Sequence, residues 1–312
     1  MKPILELMAD DVVLGDGGYL IELERRMYVR GDYWVPEVVL DHPDAVEALH
    51  NEFIRAGSQA IQALTFWTTR NIIDEQAGRG SETEQINRQA IRIAKSAAAD
   101  SVYVAGTLAA TTLMGSRDKA RALSGIEAER QLCQAREVLA EQVLWMADEG
   151  IDFIIAETFD RIDEAEAAVD VVKQVNLPVI ATMSWREVDA TSTDGETAGD
   201  CAKRLKDAGA DAVGFNCRQE PDKIIKVMAK MRDSVEGPLA VQPWGLEACG
   251  ISGGISSTSE LDQSNTSRYD SSCAQNGSLD PRLAVVVNAW STLSEPVKAA
   301  VMALVKADTA DD

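Results

Sequence analysis

The chain has 312 residues, of which 46% are hydrophobic, and its 51 acidic side chains outnumber 30 basic ones to give a formal charge of −21. This composition is typical of a globular protein, and so acidic a balance repels nucleic-acid backbones and anionic membrane surfaces. The sequence also shows neither a membrane-spanning apolar stretch nor a signal-peptide pattern, so we expect a cytoplasmic protein that binds neither nucleic acid nor membrane.

Eight short apolar runs recur along the chain, and each ends in a cluster of polar residues or glycine. Their near-continuous apolarity is typical of parallel strands that are covered on both faces. The runs are 11–18, 58–66, 101–108, 151–159, 177–185, 210–217, 238–245 and 284–290.

Amphipathic segments that predict helices lie between these runs, and Gly57, Gly150 and Gly209 stand where helices should end. These segments are 43–56, 84–99, 127–148, 162–175, 198–208 and 221–235. Eight strand-then-helix units predict an α/β fold, a (β/α)8 TIM barrel, with residues 1–312 forming a single domain. A doubly wound sheet is the competing fold, but the glycines at 15, 17 and 18 lack its usual spacing. Residues 246–280 predict a long irregular loop before the last strand.

Two carboxylates, Asp16 and Glu157, fall near the carboxyl ends of predicted strands one and four, where a barrel places its active site. A carboxylate in such a mouth needs a partner to stay charged, and the ammonium group of a zwitterionic substrate would supply one. The alternative is that each residue caps a helix or ties strand ends together.

Aromatic residues are concentrated at the same end of the predicted barrel, although the whole chain is only 5% aromatic. Aromatic faces in a concave mouth are suited to a methylated cation, which has no N–H to donate. The alternative is that they only pack around the rim of the barrel and bind no ligand. They are Trp34, Phe66, Trp67, Phe159, Trp185 and Trp244.

The histidines and cysteines argue against several other chemistries. The five cysteines are an odd number in a large chain, so we expect no disulfide framework. His42 and His50 lie on one predicted helix and are expected at its surface, which disfavours a serine–histidine triad or a multi-histidine zinc site. Cys217 ends predicted strand six, where a lone cysteine most often packs as a small hydrophobe.

Several motifs together resemble the betaine–homocysteine S-methyltransferase family, in order and along almost the whole chain. The resemblance implies a barrel enzyme of methionine biosynthesis that moves a methyl group from an onium donor to the sulfur of homocysteine. The motifs include Gly-Asp-Gly-Gly-Tyr at 15–19, Trp-Val-Pro-Glu at 34–37, Thr-Phe-Trp at 65–67, Ala-Glu-Thr-Phe at 156–159 and Gly-Phe-Asn-Cys at 214–217.

The resemblance also assigns roles to individual residues. It implies that Asp16 and Glu157 hold the homocysteine amino group, beside the backbone of Gly17 and Gly18. It implies an onium cage and a metal site, to which it assigns the following residues: Trp34, Phe66 and Trp67 for the cage, Asn216 near the metal, and Cys217 as the first of three zinc ligands. Zinc would hold the homocysteine sulfur as a thiolate.

The chain departs from this family where the other two zinc cysteines belong, because a gapless match places Ala289 and Trp290 there. Neither side chain can bind zinc, which leaves three explanations: a zinc-free site, replacement ligands from Cys249 or Cys273, or an altered reading frame across 271–292. Thr158 is a smaller departure, since betaine-specific members carry tyrosine beside the glutamate.

Two functions therefore stay open. The first is an onium-dependent homocysteine methyltransferase that uses glycine betaine or a related sulfonium acid, with small molecules as its partners. The alternative is a zinc-free barrel that binds an onium compound without transferring its methyl group. Either protein can form a homo-oligomer.

Overall fold

The computed structural model describes residues 1–30, 35–114 and 125–243. These ranges contain the following helices: α1 Ile4–Asp10, α2 Tyr19–Arg25, α3 Val38–Asp41, α4 Pro43–Ala56, α5 Arg70–Ala77, α6 Thr83–Ala98, α7 Gly125–Asp148, α8 Ile162–Gln174, α9 Ala198–Asp207 and α10 Pro221–Arg232. A short 3-10 helix spans Gly80–Glu82. The strands are β1 Ala60–Gln62, β2 Tyr103–Ala109, β3 Phe153–Phe159, β4 Val179–Met183, β5 Ala212–Asn216 and β6 Leu239–Gln242.

The six strands form one parallel sheet in which sequence order equals spatial order, β1 to β6. The sheet is curled, because the Gln242 side chain at the end of β6 donates a 3.0 Å hydrogen bond to Gln62 at the end of β1. The first and last strands of a flat six-stranded sheet would lie too far apart for such a contact. The described part of the chain is therefore a curled parallel α/β fold.

The outer face of the sheet packs against the helices and forms the larger hydrophobic core. Ile154 and Ala156 on β3 and Val213 on β5 point outward and are fully buried against residues such as Val143 on α7 and Val169 on α8. This double cover explains why the strands read as near-continuous apolar runs.

The inner face of the sheet has an apolar amino end. Tyr103 and Phe153 are buried there, and Ile4 on α1 packs against them in the same cluster. Helix α1 therefore covers the amino end of the inner face of the curled sheet.

The sequence predicted six of the ten α-helices in the described ranges and missed α1, α2, α3 and α5. The six predicted segments correspond to α4 and α6 to α10, and α4 has the predicted bounds. Gly57, Gly150 and Gly209 adopt φ of 106°, 72° and 101°, which is the left-handed conformation that ends a helix.

Six of the eight predicted strands, from 58–66 to 238–245, overlap an observed strand. The first run, 11–18, is not a regular strand: Leu14 O accepts from the N–H groups of both Gln59 and Ala60, while Leu14 N bonds to the Gln59 side chain. The predicted strand 284–290 and the loop 246–280 lie outside the described residues. No helix in the described ranges is both long and apolar enough to cross a membrane.

Candidate functional site

Each of the six strands carries a polar side chain at its last residue or within two residues of it, and together these side chains line the carboxyl end of the curled sheet. Apolar positions two or more residues earlier on the same strands face the core covered by α1. Because residues i and i+2 of a strand share a face, the terminal polar residues point inward as well. They are Gln62, Thr107, Glu157, Thr182, Asn216 and Gln242.

Gln62 connects this ring and is a residue that the sequence analysis missed. Its side-chain NH2 donates to Thr107 Oγ1 at 3.1 Å and to Glu157 Oε1 at 2.9 Å. Its side-chain oxygen accepts from Gln242, and its backbone N–H donates to Asp16 Oδ2. A single glutamine thereby ties the two predicted substrate carboxylates to one hydrogen-bond network.

Asp16 reaches the site from the segment that pairs with β1, just before α2 begins at Tyr19. Its Oδ2 atom accepts from the Gln62 backbone and from the Tyr19 hydroxyl, the latter at 2.7 Å. The structure thus brings Asp16 to the same end of the sheet as Glu157, since both bond to Gln62.

An irregularity in β3 lies beside Glu157, which faces the site because it shares a strand face with Phe153. The register between β3 and β4 shifts between Ala156 and Phe159, and Thr158 within the shift has φ of 62°. Such a bulge re-aims the neighbouring side chains, and a β-branched residue in this conformation is strained. Asn216 Oδ1 accepts from the Thr158 N–H at 2.9 Å and so supports the strained backbone.

Asn216 links Glu157 to Cys217. Its side-chain nitrogen lies 2.8 Å from Glu157 Oε2, 2.7 Å from Thr158 Oγ1 and 3.4 Å from Cys217 Sγ. Thr182 donates to the Asn216 oxygen at 2.8 Å, so the amide is held from both ends. Asn216 and Cys217 therefore lie beside Glu157.

The electrostatics of the two carboxylates are dominated by burial. Burial raises the pKa of Asp16 and of Glu157 to about 7, and the negative charge of Asp16 adds to the rise at Glu157. Among the described residues, no cationic side chain contributes to either pKa. The site therefore holds up to two negative charges that a cationic ligand would neutralise.

The aromatic residues divide into two groups. Phe66 and Trp67 follow β1, are half-buried and have ring centroids 5.0 Å apart, with Trp67 at φ of 53°. Phe159 and Trp185 were expected at the mouth, but they are 0% and 4% exposed and pack in the outer core instead. The register shift in β3 turns Phe159 outward. Trp34 and Trp244 lie outside the described residues.

The described residues do not form a zinc site. No group of three histidine, cysteine or acidic side chains with metal-binding geometry occurs in the ranges that the structure describes. Burial first, and then the Glu157 charge, raise the pKa of the Cys217 thiol to about 11, which opposes the thiolate form that zinc requires. The Cys217 Sγ atom lies 3.4 Å from the side-chain nitrogen of Asn216 and 4.0 Å from the Thr158 hydroxyl. Ala289, Trp290, Cys249 and Cys273 lie outside the described ranges.

The histidine prediction was wrong for one of the two residues. His42 is exposed at the start of α4, but His50 is fully buried, and its Nδ1 atom lies 2.7 Å from the Tyr19 hydroxyl. The signal was present in the sequence, since Val46, Leu49 and His50 follow the i, i+3, i+4 spacing of a buried helix face.

Comparison with known proteins identifies the family. A family model described as homocysteine S-methyltransferase matches residues 13–279. The chain belongs to the homocysteine S-methyltransferase family. This confirms the resemblance on which the residue roles were predicted, and it places the carboxyl-end network in a chain of that family.

Two curated relatives show how far the similarity extends. The chain is 36% identical over 266 residues to S-methylmethionine–homocysteine S-methyltransferase BHMT2 of Pongo abelii, which covers 81% of this chain and 66% of the relative. It is 35% identical over 242 residues to betaine–homocysteine S-methyltransferase 1 of Danio rerio, with 75% and 56% covered. The chain thus matches less than two thirds of the length of either relative.

The fold is similar to that of the homocysteine methyltransferase MmuM from Escherichia coli. The crystal structure of its metallated form superposes with a TM-score of 0.65 at 18% identity, covering 78% of this chain and 87% of that one. The oxidized form gives a TM-score of 0.66 at 21% identity, with 80% and 88% covered. Identities this low support the shared fold alone.

Proposed function

We propose that this chain transfers a methyl group from an onium donor to the sulfur of homocysteine, giving methionine. The observation that carries the proposal is a pair of carboxylates, half-buried Asp16 and buried Glu157, joined through Gln62 and without a cationic partner among the described residues. Family membership supports the same acceptor.

The carboxylate pair is suited to the ammonium group of an amino acid. An ammonium group has three donors and one positive charge, so it can satisfy both carboxylates at once. Gln62 and Asn216 each donate a hydrogen bond to one oxygen of Glu157 and so orient its carboxylate. The backbone of Gly17 and Gly18, which precedes α2, is proposed to lie beside the substrate carboxylate.

The donor is proposed to bind against Phe66 and Trp67, and Trp34 is proposed to complete the cage. Quaternary ammonium and sulfonium ions are attracted to aromatic faces. In the transfer step homocysteine reacts as its thiolate, after its S–H proton has passed to solvent. The sulfur attacks the methyl carbon in line, the S–C bond forms, and the bond from carbon to the donor breaks with its electrons staying on the donor. The donor leaves with its positive charge neutralised, so a site that excludes water favours the transition state.

No step of this mechanism is assigned to a metal. Zinc binding at Cys217 stays a prediction, because the described donor set supplies one thiol with a raised pKa and no second sulfur ligand. Metal analysis of the purified full chain tests it, and the ligands that residues 244–312 supply decide the result.

The activity is tested with methyl-labelled donors. The protein is incubated with homocysteine and labelled glycine betaine, S-methylmethionine or a dimethylsulfonium acid, in parallel reactions with and without added zinc. We expect labelled methionine from at least one donor. Absence of labelled methionine in every reaction would reject the proposal.

The second candidate is a barrel that binds an onium compound without methyl transfer. It is motivated by the sequence, in which Ala289 and Trp290 stand where the family has its paired zinc cysteines. Calorimetry separates the two, because a binder takes up glycine betaine with or without a chelator and shows no homocysteine-dependent product.

The finer structural and cellular predictions accompany this proposal. We propose that the curled sheet is part of a complete eight-stranded (β/α)8 barrel, and that the protein is cytoplasmic. Its partners are proposed to be small molecules and a second copy of itself in a homo-oligomer, with no nucleic acid.

A further inference from the structure

Tyr19 and His50 form a buried chain behind Asp16. The Tyr19 hydroxyl lies 2.7 Å from Asp16 Oδ2 and 2.7 Å from His50 Nδ1. Tyr19 is 6% exposed and His50 is 0% exposed. The phenol ring is held in place by His50, at a ring-centroid distance of 4.8 Å, and by Phe53, edge-on at 5.0 Å.

The number of available protons limits the directions that the hydrogen bonds between Asp16, Tyr19 and His50 can take. A tyrosine hydroxyl has one proton to donate, and an ionised carboxylate has none. When Asp16 is ionised, Tyr19 must donate to Asp16, so the contact with His50 requires that His50 donates from Nδ1 to the tyrosine oxygen. Ionised Asp16 and the Nδ1–H tautomer of His50 therefore belong to the same state.

The surroundings of His50 agree with this assignment. Burial lowers the pKa of His50 to about 3, so the ring is neutral at physiological pH and has one N–H. Its Nε2 atom is buried without a hydrogen-bond partner among the described residues. In the Nδ1–H tautomer, Nε2 has only a lone pair and so needs no acceptor. The other tautomer would bury an N–H group at Nε2 without an acceptor and would leave the tyrosine oxygen without a donor from His50.

The Tyr19 hydroxyl is a stable donor. Burial first, and then the charge of Asp16, raise its pKa well above the ordinary value, so the proton stays on oxygen. The titratable groups that face Asp16 are Tyr19 from α2 and Glu157 from β3, and His50 on α4 lies behind Tyr19. Among the described residues, Tyr19 is the one that donates a side-chain hydrogen bond to Asp16.

We propose that Tyr19 and His50 are positioning residues, which hold the Asp16 carboxylate ionised and oriented for the ammonium group of the substrate. The identity of that ammonium group rests on the proposed function; the hydrogen-bond chain itself does not.

The test begins with the protein alone. With 15N-labelled histidine and 13C-labelled aspartate, NMR reports the tautomer of His50 and the titration of Asp16, and His42→Gln assigns the only other histidine. We expect His50 as the Nδ1–H tautomer at pH 8. We expect Tyr19→Phe to raise the Asp16 titration by about one pKa unit, because a hydrogen bond to the ionised form is lost.

Two further variants separate positioning from packing. His50→Asn keeps an N–H donor near the Nδ1 position and should leave the Asp16 titration close to that of the parent, whereas His50→Leu should raise it in part. Phe53→Leu is the matched control, because it removes an aromatic contact with Tyr19 but no hydrogen bond, and it should not move the titration.

The enzymatic readout follows from the same shift. If the pKa of Asp16 rises from about 7 to about 8, its ionised fraction at pH 7 falls about fivefold. Tyr19→Phe should therefore raise the KM for homocysteine at pH 7 about fivefold, with a smaller change in kcat. An Nε2–H tautomer at pH 8, or an unmoved Asp16 titration in folded Tyr19→Phe, would overturn the inference. Absence of methyl transfer by the parent would instead reject the proposed function and leave the NMR result standing.

Discussion

Replacing Asp16 by Asn should make the empty protein more stable and abolish its affinity for homocysteine. The asparagine oxygen can still accept from the Gln62 N–H and from the Tyr19 hydroxyl, which both bond to the same aspartate oxygen in the parent. What the substitution removes is the buried negative charge. Binding sites often hold such unfavourable features, at a cost in stability.

The magnitude follows from the pKa of Asp16, which is raised from 3.8 to about 7. Below pH 4 the residue is protonated in both the folded and the unfolded chain, so it adds no pH dependence. Between pH 4 and 7 the unfolded chain ionises Asp16 while the folded chain keeps the proton, so the free energy of unfolding falls as the pH rises. At about 1.4 kcal/mol per pKa unit, the loss has an upper limit of about 4 kcal/mol. Because Asp16 keeps some contact with solvent, we expect about half of this, roughly 2 kcal/mol.

Urea unfolding at pH 4 and pH 8 measures this difference. The stability of Asp16→Asn relative to the parent should rise by about 2 kcal/mol between the two pH values. Homocysteine should stabilise the parent at pH 8 but not the variant. The matched control is Glu75→Gln on the exposed side of α5, whose difference from the parent should not depend on a buried charge. A gap between Asp16→Asn and the parent that stays constant with pH would refute the electrostatic reasoning.

Three further predictions test other parts of the structure. Gly214→Ala should destabilise the fold by about 3 kcal/mol, because its Cβ atom would lie 1.7 Å from the Ala240 carbonyl oxygen; Gly125→Ala, with no atom within 4 Å, is the control in thermal unfolding. Trp67→Ala should raise the KM for the onium donor about tenfold, since a desolvated cation–π contact is lost, while the KM for homocysteine changes little; equal effects on both would contradict the cage. Cys217 should be alkylated at pH 8 at least about tenfold more slowly than exposed Cys133, because its raised pKa keeps it as the thiol; peptide mapping by mass spectrometry would reveal equal rates if this is wrong.

The helices could be predicted because their ends carry strong local signals. Pro43 is well suited to the first turn of a helix, Gly57 can adopt the left-handed conformation after the last turn, and the helix between them has the predicted bounds. The strands could be predicted for a different reason. Helices cover their outer faces and the core covers their inner faces, so their apolar runs are nearly continuous.

The site was harder to predict because it depends on where each strand stops. The run 58–66 stays apolar beyond Gln62, so its last residues drew attention to Phe66 and Trp67, but β1 ends at Gln62. The register shift in β3 could not be read from the sequence either, and it sends Phe159 to the outer core while Glu157 faces the site. His50 was misjudged because histidine was treated as polar rather than as one residue of an apolar helix face.

Several unfavourable features of the described chain lie at the carboxyl end of the sheet, although Ala99, Asp100 and Asn176, which precede β2 and β4, also have positive φ. Trp67, Thr158 and Cys217 all have positive φ and follow or interrupt three different strands, and each such residue costs about 1 to 2 kcal/mol. The buried carboxylates lie at the same end, whereas the amino end is apolar and covered by α1. A ligand cannot relieve the backbone strain, but an ammonium group neutralises the carboxylates. Binding of a cationic ligand should therefore remove the electrostatic part of the loss in stability and leave the part due to backbone strain. The Asp16→Asn variant isolates the electrostatic part, because it removes the charge and does not change the residues with positive φ.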